Sequence, residues 1–244
     1  MRPFHSRRSG NNLVAIRPQF GCFRDAGRLT VTSYVCPNPS YMLAPNAPDE
    51  RLVLFKNNSL EKLTVVSAFW FVVTWSVVLP LVAIAGWGDI TPLAGLGLVV
   101  VGGIVWSLFE YSVHRYLFHW KTEWPWAKRL IFVVHGNHHA QSDDRLRNLM
   151  PLILSIPISM SIWAMFVAAI GPAGTWLFLG FILGYVVYDL VHYACHQWPM
   201  RGALGEALKR HHMRHHHVDA DMNYAITGIF WDRIFSSRIT SLRR

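Results

Sequence analysis

The sequence predicts an all-α integral membrane protein, with four transmembrane helices and a cytoplasmic helical cap that carries most of the histidines. Two observations predict this fold class. Of the 244 residues, 52% are apolar and only 15% are charged, which departs from an ordinary soluble domain. Charged residues are also absent from three long intervals, between Lys62 and Asp89, between Asp89 and Glu110, and between Arg147 and Asp189.

These uncharged intervals are long enough for membrane-spanning helices, which need about 20 apolar residues each. The third interval has room for two helices, and Gly171-Pro172-Ala173-Gly174 divides it with residues typical of a turn. We therefore expect transmembrane helices at about residues 63–87, 91–111, 149–170 and 174–195.

The distribution of basic residues predicts the topology. The chain contains 23 Lys and Arg residues, and the two short loops 87–90 and 171–174 contain none of them. Because basic residues near span ends are retained in the cytoplasm, we expect both termini and the central loop to be cytoplasmic. The membrane would be the endoplasmic reticulum in a eukaryote or the inner membrane in a bacterium. The net charge of +9 is mostly this topology signal, since no module that reads nucleic acid is recognisable.

The sequence divides into residues 1–48, a basic arm expected to be disordered, and residues 49–244, the membrane domain. The composition of the arm also fits an organelle transit peptide or a wrongly chosen upstream start codon. The three cysteines are far apart, so they predict neither a disulfide framework nor a Cys-x-x-Cys metal site. The chain also lacks the glycine-rich and Gly-x-Ser-x-Gly motifs of nucleotide-binding proteins and serine hydrolases.

Twelve of the 13 histidines fall in four short clusters at the predicted cytoplasmic ends of the spans. Spacings of three and four residues place most cluster members on one helix face, whereas His114 and His119, five apart, need a helix end to aim both inward. Ten rings exceed the four to six ligands of one ion, so we infer two metal ions with roughly five rings each. The ten predicted ligands are His114, His119, His135, His138, His139, His192, His196, His212, His215 and His216.

Imidazole ligands alone suit iron, zinc or copper. A site at the membrane face, open to acyl chains from the lipid, suits attack on a C–H bond; iron activates O2 for this purpose, whereas zinc is not redox-active. No catalytic residue beyond the metal ligands is expected. Neutral rings need partners for the N–H group that does not face the metal, and seven side chains lie close enough in sequence to supply them. They are Glu110, Asn137, Asp144, Asp189, His211, Asp219 and Asn223.

The spacings His-x4-His, His-x2-His-His, His-x3-His and His-x2-His-His together resemble the fatty acid hydroxylase superfamily. The strings at residues 114–119, 144–151, 188–193 and 230–235 are similar to fatty acid 2-hydroxylases, the enzymes of 2-hydroxylated sphingolipids. The resemblance covers about residues 50–238. It implies O2-dependent hydroxylation next to the acyl carbonyl, by ten histidines holding two iron ions that zinc can replace in preparations. The substrate would be a free fatty acid or a ceramide.

Departures from the family pattern are Gln197, where a second histidine is frequent, and His217, where an aromatic residue is common. The heme-binding His-Pro-Gly-Gly motif found in some members does not occur, so a separate electron donor is expected, either cytochrome b5 or a ferredoxin-like protein.

Two other functions remain alternatives. Within the superfamily, the alternative is a sterol desaturase or a carotenoid hydroxylase. The three residues between His192 and His196 argue against the carotenoid type, and the Met150-Pro151 string argues against the sterol type. From another class, the chain could be a non-enzymatic metal-binding or transport protein. The absence of charge and histidine from the span interiors argues against that function.

Overall fold

The computed structural model describes residues 51–240 and, in the preceding region, two short strands. Strand β1 (Phe23–Arg24) pairs antiparallel with strand β2 (Tyr34–Val35). The chain divides into two compact units, residues 1–50 and 51–244. The prediction of a basic, disordered arm over residues 1–48 therefore lies, this strand pair apart, outside the described residues.

Residues 51–240 form helices and connecting loops, which confirms the all-α class for this part of the chain. The helices are α1 (Asn58–Leu63), α2 (Ala68–Ala85), α3 (Pro92–Val113), α4 (Pro125–Ile131), α5 (Asn137–Ala140), α6 (Leu152–Ile170), α7 (Gly174–Gln197), α8 (Gly202–His217) and α9 (Trp231–Ile234). A π-helical turn follows α3 at His114–Phe118, and a second follows α4 at Phe132–Gly136. A 3-10 turn, Gly171–Ala173, joins α6 to α7.

Within the described residues, three helical segments are long and apolar enough to cross a membrane: Ala68–Ala85, Pro92–Phe118 and Leu152–Gln197. The third has 46 residues and contains both α6 and α7, because the 3-10 turn leaves no gap between them. The four helices predicted from the sequence correspond to α2, α3, α6 and α7. Helix α2 begins later than predicted, because the Ser67 hydroxyl caps it and residues 58–63 form the separate helix α1.

Helices α6 and α7 form an antiparallel hairpin. Near its turn, the indole nitrogen of Trp163 donates a hydrogen bond to the hydroxyl of Thr175 at 3.1 Å. At the open end, the backbone N–H of Met150 donates to the carboxylate of Asp189 at 2.9 Å. The segment therefore reverses direction at Gly171–Ala173, and α6 and α7 lie side by side along their length.

Helix α7 also determines the directions of α2 and α3. The end of α2 meets the start of α7, where the Trp176 indole donates to the carbonyl of Gly86 at 2.8 Å, so these helices are antiparallel. Helix α3 runs parallel to α7, since Gly95 faces Trp176 near both starts and Trp106 contacts Tyr188 further along. As a result, α3 and α7 end at the same end of the bundle, where α2 and α6 begin.

Two glycines allow α3 and α7 to pack backbone against backbone. A Cβ atom added to Gly102 would lie 2.1 Å from the carbonyl oxygen of Leu177, and one added to Gly180 would lie 1.9 Å from that of Val99. Small residues permit such close approach of helices within a membrane. This packing fixes the position of the end of α3 relative to the end of α7.

An aromatic core surrounds this contact. The Tyr185 ring packs edge-on against Trp75 and Trp106, with ring centroids 5.4 Å apart in each pair. The Tyr185 hydroxyl then donates to Asp189 at 3.1 Å, the carboxylate that also accepts from Met150. The core thus connects the middle of α7 to the loop before α6, and Asp189 in this connection lies one helical turn before His192.

Candidate metal centre

Ten histidines from four parts of the chain converge at the end of the bundle where α3 and α7 terminate. The first histidine group consists of His114, His119, His135, His139 and His215. The second histidine group consists of His138, His192, His196, His212 and His216. Within each group, one ring nitrogen from every member lies within 4.8 Å of the others. The structure therefore brings together all ten residues that the spacing pattern selected.

A π-helical turn explains how His114 and His119 reach the same group. On an ordinary α-helix, positions five apart point about 140° away from each other. Here the backbone N–H of His119 donates to the carbonyl of His114 at 3.2 Å, which closes a wider i to i+5 turn. The two rings consequently lie one above the other, with their Nε2 atoms 3.2 Å apart.

The second and fourth clusters each contribute to both groups. His135 and His139 belong to the first group, whereas His138 between them belongs to the second. On α8, His215 belongs to the first group, whereas two of its neighbours belong to the second. The expectation that each cluster presents one face is therefore too simple, since α5 and α8 lie between the two groups. The α8 members of the second group are His212 and His216.

The spacing of the ring nitrogens fits metal coordination. In the first group, Nε2 of His135 lies 3.1 Å from Nε2 of His114 and 2.9 Å from Nε2 of His139. In the second group, the Nε2 atoms of His138 and His192 are 2.8 Å apart. Two ligands at right angles around an ion, each at about 2.1 Å, are about 3 Å from one another. The nitrogens are therefore spaced like neighbouring ligands of one ion.

Backbone carbonyls fix the orientation of two rings in the first group. Nδ1 of His114 bonds to the carbonyl of Tyr224, and Nδ1 of His215 bonds to the carbonyl of Met222 at 2.7 Å. Because a carbonyl can only accept, each Nδ1 carries the proton and each Nε2 presents a lone pair to the centre of the group. Converging lone pairs repel one another unless a cation lies between them, so this donor set suits a transition-metal ion.

Burial keeps the rings neutral, which is the form that binds metals. Desolvation, together with the nearby His215 and Lys121, lowers the pKa of His119 to about 2. Desolvation also lowers the pKa of His138 and of His215 to about 4, against the opposing effect of the hydrogen bonds that each ring makes. No proton therefore competes for these nitrogens near neutral pH.

Asp232, which the sequence analysis did not select, organises the loop behind the first group. Its side chain is fully buried and accepts hydrogen bonds from the backbone N–H groups of Tyr224 and Ala225, both at 2.9 Å. It also accepts from the hydroxyl of Ser237 at 2.7 Å and pairs with His211 at 2.9 Å. The carboxylate thereby holds the segment whose carbonyl orients His114. Its only sequence signal was its place in the string at residues 230–235.

Asn148 is a second residue that sequence reasoning missed. Its side-chain oxygen lies 3.1 Å from Nδ1 of His138, and its amide donates to the carbonyl of Ser142 at 3.0 Å. The side chain is almost fully buried. In the second group it does for His138 what the Tyr224 carbonyl does for His114.

The three carboxylates expected behind the ligands on α3, α7 and the central loop have other partners. Glu110 accepts from the backbone N–H of Ile226 at 2.6 Å and from the hydroxyl of Thr227 at 2.7 Å. Asp189 accepts from Met150 and Tyr185, as described above. Asp144 pairs with Arg51 at 2.8 Å. Glu110 and Asp189 thus hold backbone segments around the centre, and within residues 51–240 none of the three carboxylates hydrogen-bonds to a ligand ring.

The remaining expected partners also act on the backbone. Asn137 donates to the carbonyls of Phe132 and Val133 in the second π turn. Asn223 donates to the carbonyl of His211 at 3.0 Å and accepts from the N–H of Ile239 at 2.7 Å. His211 itself binds Asp232. For three ligands, His114, His215 and His138, the partner of Nδ1 is a main-chain carbonyl or Asn148.

Three further predicted positions lie at the margin of the site. Asp219 accepts from the backbone N–H of Asp221 at 3.1 Å, and its predicted interaction with a ligand ring stays a prediction. Gln197 donates to the carbonyl of Asp143 at 3.1 Å, so it ties the end of α7 to the central loop. His217 is exposed and belongs to neither histidine group.

Comparison with known proteins identifies the family. The fatty acid hydroxylase family model matches residues 99–237. A dihydroceramide fatty acyl 2-hydroxylase of Arabidopsis thaliana is 35% identical over 144 residues, which are 58% of this chain and 61% of that protein. The human fatty acid 2-hydroxylase is 36% identical over 143 residues, covering 57% of this chain and 38% of that protein. The chain thus spans less than two thirds of the length of these relatives.

A solved structure agrees with these matches. The structure described as full-length scs7p, in which only the hydroxylase domain is visible, superposes with a TM-score of 0.73 and 28% sequence identity. The match covers 80% of this chain and 75% of that one. It extends the similarity from the histidine clusters to the helical bundle. The chain belongs to the fatty acid hydroxylase family, as its histidine spacings predicted.

Proposed function

We propose that this chain is a membrane-bound hydroxylase that adds a hydroxyl group at C2 of a fatty acyl chain, either as a free fatty acid or within a ceramide. The observation that carries the proposal is the pair of five-imidazole groups, side by side at the end of an apolar helix bundle. The names of the relatives support an acyl substrate in sphingolipid biosynthesis. A ceramide very long chain fatty acid hydroxylase of Saccharomyces cerevisiae, 33% identical over 188 residues, is one of them.

Each histidine group holds one iron ion in this proposal, and the five histidines of the group are the ligands of that ion. Neutral rings, lone pairs directed inward and a spacing near 3 Å support this assignment. Bound iron supplies the redox chemistry that O2 requires, which zinc in the same ligands does not. In the overall reaction, one oxygen atom enters the C–H bond and the other leaves as water, with two electrons and two protons consumed.

The protein's own contribution is to orient the ligand rings and to keep water away from them. The Tyr224 and Met222 carbonyls and the Asn148 amide hold three rings in one tautomer and one direction. His212 and His215 are fully buried. Preorganised ligands keep the spacing of the site constant while a substrate enters and leaves.

We place four spans in the membrane, namely α2, α3, α6 and α7, with the histidine groups and both termini in the cytoplasm. The hairpin of α6 and α7 supports two passes in the 46-residue segment, since a helix of that length would measure about 69 Å against a core of about 30 Å. The lack of Lys and Arg in both loops at the opposite end supports the orientation.

The acyl chain would approach from the lipid near the first π turn. Tyr116 and Leu117 lie between His114 and His119 in sequence, and they are 63% and 50% exposed. Exposed indoles follow along the chain, as expected at a bilayer surface. They are Trp120, Trp124 and Trp126. A lipid tail lying on this apolar surface is next to the first histidine group without having to leave the membrane.

A protein electron donor docks from the cytoplasm in this scheme, either cytochrome b5 or a ferredoxin-like protein. The reaction consumes two electrons for each turnover, and imidazole ligands are not redox-active, so bound iron would have to be reduced again by an external donor. Reconstitution with each donor separately, followed by measurement of O2 consumption with and without lipid, identifies which one supports turnover.

Lipid mass spectrometry of cells that express the chain with an electron donor tests the proposal. We expect 2-hydroxyacyl lipids with the natural sequence and none with His138→Ala, which removes a ring from the second group. His217→Ala is the matched control, because that ring is exposed and outside both groups, and its product level should be unchanged.

Two results would replace the proposal. If the natural sequence yields hydroxylated sterols or carotenoids and no 2-hydroxyacyl lipid, the substrate class is wrong. If His138→Ala leaves lipid composition unchanged but abolishes cellular metal uptake, the chain is a metal transporter.

A further inference from the structure

A cavity of about 170 Å³ lies beside the metal centre, between α8 and the segment that contains α9. On α8, the lining positions 207, 210, 211 and 214 recur every three or four residues, so they share one face of the helix. Ile229, Arg233 and Arg238 complete the lining from the C-terminal segment. We call this cavity the arginine pocket, after Arg210, Arg214, Arg233 and Arg238.

The four guanidinium groups of the arginine pocket have no acidic partner. None of them forms an ion pair or hydrogen bond within the described part of the chain. Asp232, next to Arg233 in sequence, is buried and already bonded to two backbone N–H groups, to the Ser237 hydroxyl and to the His211 ring. Four like charges around one concave surface repel each other, and an anion between them relieves that repulsion.

The pocket lies at the level of the predicted bilayer surface. The indole of Trp231 on α9 donates to the hydroxyl of Ser107 at 3.2 Å, and the Phe235 ring stacks on Tyr111 at 5.1 Å. Ser107 and Tyr111 occupy the last two turns of α3, a predicted span. Helix α9 therefore lies alongside the end of a membrane helix.

Apolar side chains next to the pocket are exposed on α9 and its flank. Phe230 is 49% exposed and Ile234 is 60% exposed, and the two flank Arg233 in sequence. Apolar side chains beside basic ones are the pattern by which a short interfacial helix contacts acyl chains and charged headgroups at once.

We propose that the arginine pocket binds a phosphate group, carried by the headgroup of a membrane lipid. Its volume corresponds to about five or six water molecules, which is enough for a phosphate and its ester oxygen. Guanidinium groups bind phosphate oxygens in a bidentate manner, which makes arginine a better match than lysine. The proposal rests on the membrane placement given above and not on hydroxylation.

Lipid binding to the purified full chain in a non-ionic detergent tests this site. The ligands are a short-chain phosphatidic acid, the diacylglycerol with the same tails, and inorganic phosphate. The test variant is Arg233→Gln with Arg238→Gln, and the control is Lys62→Gln with Arg201→Gln, which removes the same charge at exposed positions outside the pocket. Metal content of each variant, measured in parallel, reports that the fold is intact.

We expect phosphatidic acid to bind at least about tenfold more tightly than diacylglycerol, and the test variant to lose about tenfold or more of that affinity. The control should remain within about twofold, and inorganic phosphate should displace the lipid only at far higher concentration. If inorganic phosphate binds as tightly as the lipid, the pocket takes free phosphate and the lipid source is wrong. Equal binding of diacylglycerol, or equal loss in the control, would overturn the site itself.

Discussion

The two histidine groups contain five rings each but are built in different ways. The second group depends mainly on regular helices, since His192 and His196 lie one turn apart on α7 and its α8 rings have the same spacing. The first group depends on a π turn and on carbonyls of a loop more than 100 residues away in sequence, as the contact of His114 with Tyr224 shows.

One part of the site is therefore built by local helix spacing, and the other part by contacts between residues far apart in sequence. Helix periodicity aligns the α7 and α8 rings of the second group, and its remaining ring, His138, is held by Asn148, so disturbing the loop at residues 222–227 should leave this group intact. The first group needs the loop at residues 222–227, which Asp232 and Glu110 hold from opposite sides. The two groups should therefore respond differently to substitution.

The largest effect is expected from a change that displaces both groups together. Gly180→Ala places a Cβ atom 1.9 Å from the carbonyl oxygen of Val99, so α3 must move away from α7. We expect a loss of about 3 kcal/mol or more in stability and loss of metal from both groups, measured by thermal unfolding in detergent and by metal analysis.

Gly97→Ala is the matched control for that prediction. It lies on the same helix, α3, and its added Cβ meets nothing within 4 Å. Stability should be unchanged or higher by up to about 1 kcal/mol, because alanine favours helix more than glycine does. Equal damage from both substitutions would mean that the close packing of α3 and α7 does not determine the site.

A selective effect on the first group is expected from Asp232→Asn. The amide keeps the size of the carboxylate but has one acceptor oxygen where the backbone N–H groups of Tyr224 and Ala225 need two. We expect a loss of about 3 kcal/mol in stability and of metal from the first group only. Metal analysis should show about half of the natural content, whereas complete loss would contradict the independence of the two groups.

A smaller effect, confined to the second group, is expected from Asn148→Ala. The substitution removes the oxygen that lies 3.1 Å from Nδ1 of His138. Loss of such a partner weakens metal binding by about 10- to 100-fold, which a chelator competition titration measures. Asn148→Asp restores an acceptor and should recover most of the affinity. Failure of this rescue would show that Asn148 acts through its bond to Ser142 instead.

The smallest effect is expected from an exposed ion pair near the loop at residues 222–227. Lys121 pairs with Asp221 at 2.7 Å, but their side chains are 71% and 44% exposed. Lys121→Ala should change stability by less than about 0.5 kcal/mol in thermal unfolding, because exposed ion pairs contribute little. A large loss would mean that this pair, and not Asp232 and Glu110 alone, holds the loop at residues 222–227.

The sequence predicted the helices and the ten histidines because both depend on local spacing. Uncharged intervals identified α2, α3, α6 and α7, and the i to i+4 rule identified pairs such as His192 and His196. It did not predict that the second and fourth clusters are each divided between the two groups. That division depends on the rotation of α5 and α8 in the assembled bundle, which no local pattern specifies.

The partners of the rings could not be predicted for a similar reason. Acidic residues near the clusters were expected to bind the rings, but Glu110 and Asp189 hold backbone N–H groups. The partners of His114 and His215 are main-chain carbonyls. Because every residue has such a carbonyl, residue type gives no indication of which one will bond to a ring. Asp232 gave only a motif-level signal, since its function depends on contacts with residues that fold back around it.

Counting metal ions in purified protein tests whether the chain holds two separate five-histidine centres. Element-resolved mass spectrometry of the natural chain should give about two ions per molecule. His119→Ala, in the first group, and His192→Ala, in the second, should each leave about one. One ion in the natural chain, or complete loss of metal from either variant, would contradict two separate five-histidine centres.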